Sequence, residues 1–143
     1  VPVWVTFSCM DGAHTARGER IEEAIAEVAK FPQVIGVGVN CCNPNYVCSL
    51  LSRARTTIAR NSGNTSKEIG ASALLPVLVA YPNSGEEWDH ETGWHGQSQA
   101  EIKDSTRRCV EWVSQGAQLV GGCCRIGPKQ IHGMSKALTG NLW

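Results

Sequence analysis

The stretch QLVGGCCR, residues 118–125, places two adjacent cysteines at the end of a short apolar run. A second pair, Cys41 and Cys42, ends the run VIGVGVNCC, residues 34–42. A disulfide between neighbouring cysteines is strained, because the bond requires a Cα separation and Cβ directions that adjacent residues reach poorly. Each pair follows an apolar run of the kind that forms a buried strand, so the thiols are expected at two strand ends.

Working outward from these pairs, the chain alternates between strand and helix patterns. Runs rich in β-branched or apolar residues predict four strands, at 1–8, 34–40, 74–83 and 117–122. Stripes of apolar residues at helical spacing predict helices at 20–30, 46–58 and 102–113, and Pro128 begins a last helix that reaches about Leu138. Strands that are apolar on both faces and alternate with helices are typical of a parallel sheet with helical cover.

The number of units limits the possible architectures. Four β-α units occupy 143 residues, whereas a closed (β/α)₈ barrel needs about 250 residues. The pattern therefore predicts a small open sheet or half of a barrel.

Two polar stretches interrupt the alternation of strands and helices. Residues 61–73 have no periodicity and are predicted to be a long loop or insertion, and residues 84–99 a second long loop, of the kind that is often functional.

Composition excludes several classes of function. Thirteen lysine and arginine residues balance thirteen acidic residues, which gives no electrostatic reason to bind nucleic acid or an anionic membrane. No apolar run reaches the roughly 18–20 residues of a membrane span. The chain begins at Val1 inside a strand-like run, which suggests a fragment of a longer protein.

The seven cysteines lie in core-like, periodic segments rather than in a loop-rich disulfide framework. This distribution predicts a reducing, cytoplasmic compartment in which the cysteines are thiols or metal ligands. Cys48 and Cys109 lie on helical patterns and are expected to fill the core. Cys9 ends the first strand without a neighbouring thiol and is expected in the core or in the wall of a site.

The residues of unusual chemistry occur where strands end, in the segments SCMDG, NCCNP, YPNSGE and GGCC. The carboxyl ends of parallel strands share one edge of a sheet, and sites in such folds are built there. Three thiolates that meet at this edge would suit zinc, and three protein ligands leave one coordination position open. The spacing itself leaves the alternative of core thiols open, since the CxxC pairs of a zinc ribbon and of a redox site are absent.

Four segments together resemble the homocysteine S-methyltransferase family. They are VWVTFSCMDG (3–12), GVNCCNPNYV (38–47), YPNSGEEWD (81–89) and GAQLVGGCCRIGPKQI (116–131). The resemblance spans nearly the whole chain and corresponds to the second half of the family's barrel. It implies that residues 1–143 are the C-terminal portion of a homocysteine-binding domain, with the four β-α units forming the C-terminal half of a (β/α)₈ TIM barrel.

The resemblance also implies the site. The zinc ligands are expected to be Cys41, Cys123 and Cys124, with Cys42 as a non-ligand. Asn40 is expected to orient the site, and Asn40, Asn83 and Ser84 are expected to contact substrate. The acidic and glycine residues that hold homocysteine in the family come mainly from the half that this chain does not match.

The activity implied is transfer of a methyl group to homocysteine, forming methionine. The YPNSGE segment and the short ending after GGCCR are more similar to the branch that uses a sulfonium donor, S-methylmethionine or S-adenosylmethionine, than to the branch that uses glycine betaine. Three alternatives stay open: a non-catalytic fragment that binds zinc without a complete substrate pocket, a relative that uses glycine betaine, and a structural or binding domain whose cysteines are core residues.

Overall fold

The computed structural model describes residues 1–65 and 75–140. Four parallel strands form the main sheet in the order in which they occur along the chain. They are β1 (Val3–Phe7), β2 (Val34–Asn40), β3 (Val77–Tyr81) and, after two short strands described below, β6 (Ala117–Val120). The prediction of an α/β fold with a parallel sheet is confirmed.

Helices connect the strands, and their apolar stripes form the core against the sheet. The helices are α1 (Ile21–Val28), α2 (Val47–Thr65), α3 (Ile102–Ser114) and α4 (Pro128–Thr139), and a 3₁₀ turn at Pro44–Tyr46 leads into α2. In α1 the buried residues are Ile21 and Ile25, one turn apart on the same face. Val37 of β2 and Trp112 of α3 belong to the same hydrophobic core. No helix in the described part of the chain is long and apolar enough to cross a membrane.

The prediction that residues 61–73 form a loop is wrong at its start. Helix α2 continues to Thr65, so residues 61–65 are helical, and residues 66–73 lie outside the described part of the chain. The buried stripe that ends at Ile58 secures the helix. A formed helix extends at little cost, because each further residue adds a hydrogen bond without a new nucleation step. Lack of apolar periodicity therefore did not mark the end of the helix.

The segment 84–99 contains a small hairpin rather than loop alone. Strands β4 (Glu87–Asp89) and β5 (Gly93–His95) pair antiparallel, with Trp88 opposite Trp94. The Asp89 carboxylate accepts hydrogen bonds from the turn, and Gly93 adopts the left-handed backbone with φ 84°. Strands of three residues are too short to show alternation in the sequence, which is why the pattern missed this hairpin.

Candidate metal centre

Backbone hydrogen bonds hold together the three loops that carry the site. The Cys41 N–H donates to the Tyr81 carbonyl at 3.3 Å, and the Asn83 N–H donates to the Cys42 carbonyl at 3.1 Å. The Cys123 N–H donates to the Pro82 carbonyl at 2.8 Å. The ladder of the sheet therefore continues past the ends of β2, β3 and β6, and it fixes both cysteine pairs against the loop that follows β3.

Gly38 of β2 permits a close approach of two of these strands. Gly38 pairs with Val79 of β3, and a Cβ atom at Gly38 would lie 2.7 Å from the Val79 carbonyl carbon and 2.9 Å from its nitrogen. Any side chain here would therefore collide with backbone. The missing Cβ keeps β2 and β3 paired up to Asn40, immediately before the first cysteine pair.

The three cysteines that the sequence predicts as ligands come together in the structure. The sulfur atoms of Cys41, Cys123 and Cys124 all lie within 4.8 Å of one another. The Cys124 sulfur is 4.0 Å from that of Cys41 and 3.8 Å from that of Cys123. Cys41 adopts a left-handed backbone with φ 44°, which is uncommon for a residue other than glycine.

These separations fit a thiolate metal site. Two sulfurs at about 2.3 Å from a tetrahedral zinc ion lie about 3.8 Å apart, close to both distances from Cys124. The third pair of sulfur atoms, those of Cys41 and Cys123, differs because the structure joins them in a disulfide. The Cα atoms of these two residues are 5.6 Å apart. A metal requires both as thiolates, so the disulfide and the metal-bound state exclude each other.

The other cysteines have different surroundings. Cys42 is 2% exposed, and burial raises the pKa of its thiol to about 12. Cys9 is also buried, and burial, with a smaller contribution from Asp11, raises its pKa to about 12. Cys109 is fully buried on α3 and Cys48 packs partly buried against the core, which agrees with their expected roles. None of the four belongs to the cluster of three sulfurs.

The predicted substrate contacts lie at different depths. Asn83 lines the cavity beside the cysteines, and its side-chain oxygen accepts a 2.8 Å hydrogen bond from the Gly85 N–H. Ser84 is 1% exposed, and its hydroxyl donates to the Glu86 carboxylate at 2.7 Å. Asn40 ends β2, one residue before Cys41. Direct contact of Asn40, Asn83 or Ser84 with substrate stays a prediction.

Glu86 and Arg125 form a link that the sequence reasoning did not single out. The Arg125 Nε donates to the Glu86 carboxylate at 2.7 Å. Hydrogen bonds from Ser84 and then Arg125 hold the pKa of Glu86 below its ordinary value, although Glu86 is only 8% exposed. Both residues belong to motifs quoted above, YPNSGE and GGCCR, but only the tertiary structure shows that they meet.

A cavity of about 720 Å³ opens beside the sulfur cluster. Its wall includes Cys41 and Cys124 from the cluster and residues from the loops after β1, β2 and β3 and from the hairpin. The convergence of strand ends on one site, predicted from the sequence, is therefore present. A cavity next to an exposed thiol, Cys124, gives a small molecule access to the sulfur cluster.

Comparison with known proteins identifies related sequences. The family model for homocysteine S-methyltransferase matches residues 1–138. The chain belongs to the homocysteine S-methyltransferase family. It is 33% identical over 145 residues to a betaine-homocysteine S-methyltransferase of Drosophila melanogaster, covering 96% of this chain and 39% of that protein. It is 34% identical over 140 residues to homocysteine S-methyltransferase 4 of Zea mays, covering 96% and 36%.

A solved structure shares the fold. The homocysteine methyltransferase MmuM from Escherichia coli, in its metallated form, superposes with a TM-score of 0.60 at 25% identity. The match covers 94% of this chain and 35% of that chain. The chain therefore spans well under half the length of the relatives it matches, and statements about a whole enzyme belong to the proposal that follows.

Proposed function

We propose that this chain supplies the zinc-binding half of a methyltransferase that forms methionine from homocysteine with a sulfonium donor, S-methylmethionine or S-adenosylmethionine. The observation that carries the proposal is the convergence of Cys41, Cys123 and Cys124 beside an open cavity. The metallated form of the Escherichia coli relative supports a metal here. We also propose that residues 1–143 are the C-terminal half of a (β/α)₈ barrel, consistent with the partial coverage of the relatives.

Zinc held by three thiolates would leave one coordination position open and would lower the pKa of a thiol that binds there. The three cysteines bind the metal, and the backbone ladder after β2, β3 and β6 fixes their positions. The proposed compartment is the reducing cytoplasm, because the Cys41–Cys123 pair must be reduced to serve as two ligands.

The reaction itself balances without a general base from these residues. The homocysteine thiol gives its proton to solvent, and its sulfur then attacks the methyl carbon of the donor. A sulfur–carbon bond forms to give methionine. The donor's sulfur–methyl bond breaks, and its electron pair stays on the donor sulfur, which becomes a neutral sulfide. Two carboxylates, Glu86 and Glu87, line the cavity, but the proton has left the thiol before the sulfur attacks, so the methyl transfer itself needs no proton acceptor.

X-ray absorption at the zinc edge tests the proposal. The reduced protein that carries this sequence is loaded with zinc and measured with and without homocysteine. We expect the number of sulfur ligands to rise from three to four when homocysteine is added. A sulfur count that does not change while methionine is still formed would refute the mechanism. Zinc that binds without any methionine formation in the complete protein would favour a non-catalytic metal-binding role.

Glycine betaine is the second candidate donor, because the Drosophila relative is a betaine-homocysteine S-methyltransferase. Parallel assays of methionine formation with S-methylmethionine, S-adenosylmethionine and glycine betaine separate the two branches. Faster transfer from betaine than from either sulfonium would reject the sulfonium assignment and leave the homocysteine acceptor unaffected.

A further inference from the structure

Two tryptophans of the β4–β5 hairpin stand in the wall of the cavity with different surroundings. Trp88 is 62% exposed, whereas Trp94 is partly covered. Their rings meet edge to face, with centroids 5.3 Å apart. Both line the cavity that contains Cys41 and Cys124.

A cation already lies over one of the two rings. The Arg125 guanidinium is 5.8 Å from the centroid of Trp94, and the same side chain is bound by Glu86. Arg125 directly follows Cys124 in the chain. The hairpin is therefore attached to the loop that carries two of the three sulfurs. Trp94 meets Arg125 and the edge of Trp88, which leaves the exposed surface of Trp88 available to a ligand.

The charge of the wall selects the kind of ligand. Two glutamates, Glu86 and Glu87, line the cavity, and a third aromatic ring comes from Tyr46. Among the described residues, no lysine, arginine or histidine lines it. The Arg125 guanidinium offsets the charge of Glu86, so the attraction for a ligand cation comes from the Glu87 carboxylate and from the negative faces of the aromatic rings. Aromatic surfaces are known to bind methylated onium groups, whose methylated centre cannot donate a hydrogen bond.

We propose that the indole of Trp88 binds the methylated onium cation of the methyl donor, and that Trp94, Arg125 and Glu86 position the hairpin that presents it. The identification of the cation as a donor rests on the proposed function. The binding site itself rests on the composition of the wall. Sulfonium and quaternary ammonium donors share this chemistry, and the test below separates them.

The test is calorimetric titration of the reduced, zinc-loaded protein that carries this sequence. S-methylmethionine is compared with methionine, which lacks the extra methyl group and the charge on sulfur, and glycine betaine forms a separate arm. Trp88→Leu removes the ring but keeps an apolar side chain, and Trp88→Phe is the matched control that keeps a weaker ring. We expect Trp88→Leu to lose about tenfold in affinity for the preferred onium, Trp88→Phe to lose about threefold, and methionine affinity to stay within about twofold.

Three results would overturn the proposal. The first is a wild-type protein that binds neither onium more tightly than methionine. The second is a Trp88→Leu variant that binds the onium as wild type does. The third is an equal loss of onium affinity in Trp88→Leu and Trp88→Phe, which would assign the effect to the shape of the side chain. A Trp88 indole that packs against another part of the complete protein would also assign the effect to shape. Zinc content of each variant shows that the sulfur cluster is intact.

The same experiment separates this inference from the proposed function. Methionine formation and the response of the zinc edge to homocysteine report the proposed function. If the wild-type protein forms methionine and Trp88→Leu leaves the KM for the donor unchanged, only the role of Trp88 fails. If the wild-type protein binds the onium through Trp88 but forms no methionine, the proposed function fails and the cation site stands.

Discussion

Substitution of Cys124 by alanine should remove most of the zinc affinity of this protein. Cys124 lies at 4.0 and 3.8 Å from the two other sulfurs, close to the separation of about 3.8 Å in a tetrahedral thiolate site. It is therefore expected to act as a full ligand. The side chain is exposed, so its removal opens no cavity in the core, and loss of metal would not be a consequence of unfolding.

The size of the effect follows from the energy of thiolate sites. Structural zinc sites with four ligands bind with about 10–16 kcal/mol, or about 2.5–4 kcal/mol for each ligand if the ligands contribute equally. At about 1.4 kcal/mol for each factor of ten, the loss of one ligand should weaken zinc binding by about 10²- to 10³-fold. The Cys41 and Cys123 thiolates alone would then hold the metal only weakly.

The assay is competition for zinc with a coloured chelator, under reducing conditions because Cys41 and Cys123 can form a disulfide. The matched control is Cys42→Ala, which removes a thiol next to a proposed ligand but outside the sulfur cluster. We expect Cys42→Ala to keep about one zinc ion per chain. Affinity within threefold of wild type in a folded Cys124→Ala protein would refute the ligand assignment, as would an equal loss in Cys42→Ala.

Two further predictions concern stability. The isolated 143-residue chain should self-associate in sedimentation experiments. The reason is that β1 and β6 are the outer strands of the described sheet, and Trp4 and Leu119 on these strands are exposed. A compact monomer with cooperative unfolding would contradict this prediction. The folded state lowers the pKa of Glu86 below its ordinary 4.5, so this group stabilises the fold above that value and the contribution is lost as the pH falls through the lowered pKa. The Glu86→Gln variant should therefore lose less thermal stability than wild type between about pH 5 and pH 3. Glu87→Gln is the control, because Glu87 is exposed. Parallel curves of melting temperature against pH for all three proteins would reject the role of Glu86.

Elements with strong local signals could be predicted from the sequence. The four apolar runs became β1, β2, β3 and β6, and the helices appeared at the predicted stripes. Burial of a continuous apolar run or of one helix face is a property of a few consecutive residues, so it is visible in the sequence. The placement of the cysteine pairs at strand ends was also visible in the sequence, since each pair follows an apolar run. Because parallel strands direct their carboxyl ends to one edge of the sheet, the two pairs were expected at the same edge.

Weak local signals produced the errors. Helix α2 reached Thr65 through polar residues, because the energy that holds it comes from packing further back along the helix. The hairpin of Trp88 and Trp94 was missed, because strands of three residues are stabilised by their partner and not by their own pattern. In both cases the deciding contacts lie outside the segment that adopts the structure.

The sequence by itself determined the placement of the cysteine pairs at the ends of β2 and β6 and the family to which the chain belongs. Only the tertiary structure decided how these residues meet. It brought the Cys124 sulfur to within 4.0 Å of Cys41, which is 83 positions away in the chain, and it joined Arg125 to Glu86 across 39 positions. The physical reason is that a distance between side chains on different strands depends on the register of the sheet and on the turn of each loop, which the intervening residues set together.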